Sequence, residues 1–190
     1  MRYVQRGVEA LSLARITVSG HPGSGTSTLA TAVAQKTGWN RLNGGDIFRE
    51  EATRREIELE EFSRLCLEDE SVDRMLDEIL QSRISDSHGP EIVESRLAGW
   101  WAFRADTECV RIWLEVNEQE RARRLYGREG GDVATQQAKG RERMEADNAR
   151  YQRLYDIDMS DLTPYSLVIE SDNLAPQQVL ELTLDALGLQ

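Results

Sequence analysis

Residues 20–28 read GHPGSGTST, set between a β-branched run, RITVS at 15–19, and TLATAVAQKTG at 28–38, a segment of helical composition closed by Gly38. A strand, a glycine-rich bend and a helix in that order admit few folds. Gly20, Gly23 and Gly25 let the main chain turn tightly with its amides facing inward. Those amides form a nest for phosphate oxygens, and the helix start adds the positive end of its dipole, worth ~0.3–1 kcal/mol. The pattern G-x-x-x-x-G-K-[ST] is met at Gly20, Gly25 and Ser27, but position 26 holds threonine where the pattern has lysine. Ser27 stands where a hydroxyl would meet a magnesium ion. A strand–turn–helix that merely requires glycine fits the same residues. The amides and the dipole do not depend on lysine, so the open question is what supplies the charge missing at Thr26.

The rest of the chain alternates strands with helices. NRLNGGDIFREEATRR carries a second glycine pair and opens a helix. Residues 59–84 are helical in composition, with Phe62, Leu65, Val72, Leu76, Ile79 and Leu80 as an apolar stripe. SDSHGP breaks the chain; EIVES (91–95), CVRIWLEV (109–116) and YSLVIES (165–171) read as buried strands. Between and after them lie an arginine-rich helix at 117–129, a polar helical stretch from 130 onward and an amphipathic closing helix, PQQVLELTLDALG. This alternation predicts an α/β fold with a parallel sheet covered on both faces. Residues 1–14 precede the first strand and are read as an N-terminal extension to a single domain, 15–190.

Composition narrows the function. The net charge of −11 excludes a polynucleotide-coating surface, and no apolar run approaches the ~20 residues of a membrane span. The first twenty residues are too interrupted for a secretory signal, so a cytoplasmic protein is expected. Cys66 and Cys109 read as reduced, partly buried thiols, and with only His21 and His88 beside them no zinc set is expected. Lys36 and Lys139 are the only lysines; every other basic side chain is an arginine, the fork that suits phosphate and carboxylate oxygens.

Taken in order, GHPGSGTST, GGDIFR at 44–49, ESRLAGW at 94–100 and RYQRLYDID at 150–158 resemble the archaeal-type cytidylate kinases, relatives of the adenylate kinase group. The resemblance runs from about residue 15 to the C-terminus. It implies a P-loop NTPase fold, three-layer α/β/α on a parallel five-stranded sheet, with a helical flap for the acceptor nucleotide at about 46–88 and a small helical lid at about 124–150. It also implies phosphoryl transfer from ATP to CMP or dCMP with magnesium, small-molecule substrates alone, and a monomer.

Residue by residue, the resemblance places ATP on Gly20, His21, Pro22, Gly23, Ser24, Gly25, Thr26, Ser27 and Thr28, with Ser27 on the metal. Asp46 would lie near a magnesium-bound water, and Arg49 and Arg96 would grip the acceptor phosphate. Each arginine is also readable as a solvated surface residue. Gly99 would shape the acceptor pocket or simply pack. Arg124 and Arg128, four apart and so on one helical face, match the lid arginines of related kinases. A helix salt-bridged through Glu118 and Glu120 explains part of the same pattern. Arg143, Asp147 and Arg150 resemble the set closed over the acceptor, or else a solvated charged helix. Asp73, with Glu68 and Asp69, is a candidate acceptor for the cytosine amino group. In this reading Arg124, Arg128, Arg143 and Arg150 close in and supply the charge absent at position 26, a contribution worth ~10³–10⁵ in rate in other phosphoryl-transfer systems. The competing expectations are a kinase for another or modified nucleoside monophosphate or small molecule, such as an adenylate, uridylate or shikimate kinase, and a nucleotide-binding protein that has lost catalysis with its lysine.

Overall fold

Five short segments, mostly β-branched or apolar, assemble into one parallel sheet. The structure is a computed structural model and describes residues 15–189; the extension read at 1–14 lies outside the described residues. In chain order the elements are β1 (Ile16–Gly20), α1 (Thr26–Thr37), β2 (Arg41–Asn43), α2 (Gly44–Arg54), α3 (Leu59–Glu68), α4 (Glu70–Ser85), β3 (Ile92–Glu94), α5 (Ala98–Arg104), β4 (Val110–Glu115), α6 (Glu118–Glu129), α7 (Val133–Tyr155), β5 (Leu167–Glu170) and α8 (Pro176–Ala186). The strand order is β2-β3-β1-β4-β5, with every pairing parallel. The chain leaves β1 for the β2 edge, returns through β3, and only then crosses to β4. Strand order therefore reverses beside β1, the point where open α/β sheets bind ligands beyond their carboxyl ends.

Alternation along the strands divides the core. Ile16, Val18, Ile112 and Leu114 face α1 and α8, meeting Leu29, Val33, Leu180 and Leu184. Val93 and Trp113 face the other way, against Trp101, Ile157, Tyr165 and Leu80. Helices α2, α3 and α4 share a small core of their own around Ala52, Phe62 and Val72. The helical stretch 59–84 thus resolves into two helices. They break at Asp69, whose extended backbone (φ −129°, ψ 100°) lets its carboxylate accept from the Ser71 amide and cap α4.

Two elements were absent from the sequence reading. β2 is three residues long with a polar edge, and α5 begins inside the stretch quoted as a motif and runs on to Arg104. α5 packs so closely that a Cβ at Gly99 would stand 2.2 Å from Tyr165 Cε1. Gly99→Ala is accordingly expected to destabilise the fold by about 3 kcal/mol, the upper range for overpacking a tight core, read as a lower denaturation midpoint in urea. No helix of the described residues is long and apolar enough to cross a membrane.

Candidate active site

The loop after β1 is built for an anion. Gly23 (φ 86°) and Gly25 (φ 98°) hold left-handed backbone that side chains resist, and a Cβ at Gly23 would meet the Arg121 carbonyl at 2.8 Å. Gly25 is the N-cap of α1, yet no side chain caps that terminus and no acidic residue occupies its first turn. Its leading amides are therefore available to an anion. His21 in the loop supplies no charge at neutral pH. Burial, reinforced by Arg121 and Arg96, pushes its imidazole down to about 4, and its ring stands edge-on to Trp113 at 5.0 Å.

Glu94, the last residue of β3, is the acidic centre of the site and is 4% exposed. Its Oε1 accepts from Thr26 Oγ1 at 2.8 Å and from Ser27 Oγ at 2.5 Å. Its Oε2 accepts from Asn43 Nδ2 at 2.6 Å. The β2–β3 register places Asn43 directly beside it. Position 26 is thus filled by a hydroxyl bonded to the acid where an ammonium would stand. The Ser27 hydroxyl beside a carboxylate is a hard-oxygen donor set that suits magnesium. Among the described residues there is no group of three or more His, Cys, Asp or Glu that could hold a metal ion.

One cleft of about 1380 Å³ joins these groups to the arginines. A pocket for one drug-sized ligand occupies roughly 300–1,000 Å³; this one has room for two. All of residues 20–28 line it, as do Asp73, Arg96, Arg124, Arg128, Arg143 and Arg150. Arg124 donates to the carbonyls of Ser24 (3.0 Å) and Ser171 (2.6 Å), tying the loop to the end of β5, and is oriented by Glu120 at 3.0 Å. Arg128, more exposed, pairs with Glu129. On the other side Arg96 pairs with Asp147. Burial raises the Asp147 carboxyl, while Arg96, bonded to it, and the charges of Arg150 and Arg143 pull it down. Arg150 gives Nη1 to both oxygens of Asp73 (3.1 and 2.9 Å) and Nη2 to the Tyr151 hydroxyl at 2.7 Å. Five polar atoms buried without a partner belong to residues on this cleft: His21 Nδ1, Ser24 Oγ, Ser95 Oγ, Arg150 Nε and Ser171 Oγ.

Four other sequence-predicted residues, Asp46, Arg49, Gly99 and Asp147, stand apart from the cleft wall. Asp46 closes the capping box of α2 and pairs with the exposed Arg49 at 2.5 Å. Gly99 is a packing residue whose amide donates to Ser19 Oγ at 3.2 Å. Asp147 sits behind Arg96. The sequence reading passed over Glu94, Asn43 and Asp77, all on the cleft. A usable signal existed for Glu94: an acid closing an otherwise apolar strand, two residues before Arg96.

A family model described as "AAA domain" matches residues 16–150. The chain is 35% identical over 176 residues to a cytidylate kinase of Archaeoglobus fulgidus, covering 93% of this chain and 96% of that one. It is 37% identical over 171 residues to a cytidylate kinase of Halobacterium salinarum, covering 90% and 88%. Among solved structures it superposes on a shikimate kinase from Bacteroides thetaiotaomicron with TM-score 0.59 at 16% identity, covering 93% of this chain and 99% of that one, a likeness of fold.

Proposed function

The chain belongs to the cytidylate kinase family, and on that premise we propose that it transfers the γ-phosphoryl group of ATP to CMP or dCMP, giving ADP and CDP or dCDP. The observation that carries this reading is the meeting, in one cleft, of an uncapped glycine loop and an arginine cluster around Asp147. A donor polyphosphate fits the first and an acceptor phosphate the second.

In this reading the loop amides hold the donor β- and γ-phosphates, and Arg124 and Arg128 flank them from α6. Arg96, Arg143 and Arg150 take the acceptor phosphate. Arg49 joins them by exchanging Asp46 for phosphate as α2 moves inward with the flap. Ser27 and Glu94 would hold magnesium, which supplies charge neutralisation at the phosphates when bound. The acceptor oxygen is already anionic, so no strong general base is required. What remains for the protein is alignment, exclusion of water and stabilisation of the migrating group. The charge missing at Thr26 is supplied by Arg124 and Arg128. The segments around 46–88 and 124–150 act as flap and lid, and the Gly130–Gly131 link between α6 and α7 (φ 74° and 85°) gives the lid a pivot. The enzyme works as a cytoplasmic monomer on small molecules.

A coupled assay of magnesium-dependent ADP release with CMP, dCMP, UMP and AMP tests the reading, which predicts turnover fastest with CMP or dCMP. Nucleotide binding without turnover on any of the four identifies a binding protein instead. Arg128→Ala is expected to lower kcat at least about tenfold, as one charge-stabilising donor at the transferring group; a smaller loss removes Arg128 from the mechanism.

A further inference from the structure

The acidic residues expected to meet the acceptor's base are not the ones positioned for it. Glu68 and Asp69 are exposed, away from the cleft, and Asp69 caps α4. Asp73 reaches the cleft but has both oxygens bonded by Arg150. One turn further along α4, on the same face, stands Asp77. Its Oδ2 accepts from the Tyr155 hydroxyl at 2.6 Å, and among the described residues no hydrogen bond reaches Oδ1. The wall beside it is apolar, formed by Ile47, Phe48, Leu76 and Leu80, a surface suited to a planar ring. Burial raises the Asp77 carboxyl to about 6 against the opposing pull of Tyr155 and Arg150, with Asp73 adding to the rise. With Oδ2 held by Tyr155, Oδ1 is left facing the cleft as an acceptor that a ligand N–H can fill.

We propose that Asp77 reads the acceptor base, its free oxygen accepting a hydrogen bond from the exocyclic amino group of cytosine. Uracil carries a carbonyl oxygen at that ring position, and a carboxylate repels it. Arg150 ties the two ends of the acceptor site together, since it holds Asp73 beside the base position and acts on Asp147 at the phosphate position. The inference rests on the cytidylate kinase reading above.

The test is Asp77→Asn, assayed at pH 7.5 with CMP and UMP under saturating ATP. An asparagine can turn its amide N–H toward the uracil oxygen. The kcat/KM for CMP is expected to fall at least about thirtyfold and the CMP-to-UMP ratio to shift at least about tenfold toward UMP, with KM for ATP unchanged, as befits loss of one discriminating hydrogen bond. The ligand-free melting temperature should rise, because a buried charge has been removed; a purely structural Asp77 would lower it. Asp77→Ser, smaller and also a donor, should shift the ratio in the same direction. Equal losses with CMP and UMP, an unchanged ratio in both variants, or a lowered melting temperature overturns the assignment of Asp77. A wild-type protein inactive on CMP overturns the kinase reading itself, whereas a CMP-active wild type whose variants keep its ratio overturns this inference alone.

Discussion

Replacing Glu94 with glutamine is expected to lower kcat about 10³-fold while leaving the protein folded. The estimate follows from what one preorganised electrostatic group contributes in a water-poor site, about 10²–10³ in rate, taken at its upper end because the carboxylate is 4% exposed and adjoins Ser27. Glutamine keeps the volume and leaves a carbonyl oxygen for the Thr26 and Ser27 hydroxyls, at the cost of the Asn43 hydrogen bond, so packing is retained while the charge that would face magnesium is lost. The loss should fall mainly on kcat, and magnesium should no longer enhance thermal stabilisation by ATP. Glu94→Ala goes further: it leaves Thr26, Ser27 and Asn43 without their acceptor. A glutamine variant within threefold of wild-type activity would falsify the role given to Glu94.

Arg96→Ala should cost about as much but on the acceptor side, with kcat/KM for CMP falling roughly 10³-fold and KM for ATP nearly unchanged. Arg96 faces the cleft from the β3–α5 connection and is bonded to Asp147, whose side chain is 13% exposed. Truncation removes one of the proposed phosphate contacts and also takes the bonded cation from a largely covered carboxylate, which destabilises the fold. The pH dependence has a definite sign. Burial already raises the Asp147 carboxyl and Arg96 opposes the rise, so without Arg96 its folded-state value climbs further. A carboxyl titrating higher in the folded than in the unfolded state loses stability as pH increases. The variant's destabilisation should therefore be larger at pH 8 than at pH 5 in denaturant melts. Adding Asp147→Asn should restore much of the stability at pH 8 and none of the activity. If the two variants are equally active on CMP as wild type, the arginine cluster does not hold the acceptor.

What could be read from sequence was what is encoded locally. The β-branched run into Gly20, the helix ended by Gly38, the later strands and the spacing of Arg124, Arg128, Arg143 and Arg150 are short-range patterns, and all of those arginines line the cleft. What escaped notice was long-range or very short. Glu94 meets Ser27, Thr26 and Asn43 across 67, 68 and 51 residues, joined only by strand pairing. Asp77 meets Tyr155 across 78. β2 has three residues, too few for any periodicity to declare itself. Asp73 and Asp77 were equally visible as acids four apart on a helix; only the position of Arg150 separates the one already bonded from the one left open.

The pairing of the cleft's arginines with acids has a further consequence. Arg96, Arg124, Arg128 and Arg150 each rest on an acid of the same chain, Asp147, Glu120, Glu129 and Asp73. At these four side chains a lone sulfate or inorganic phosphate must break one partnership to form another, an exchange with little net return. A nucleotide brings a ring for the apolar wall and several oxygens at once, so it alone gains enough to rearrange the set. Those four arginines thus stay paired among small anions and are released together by a nucleotide.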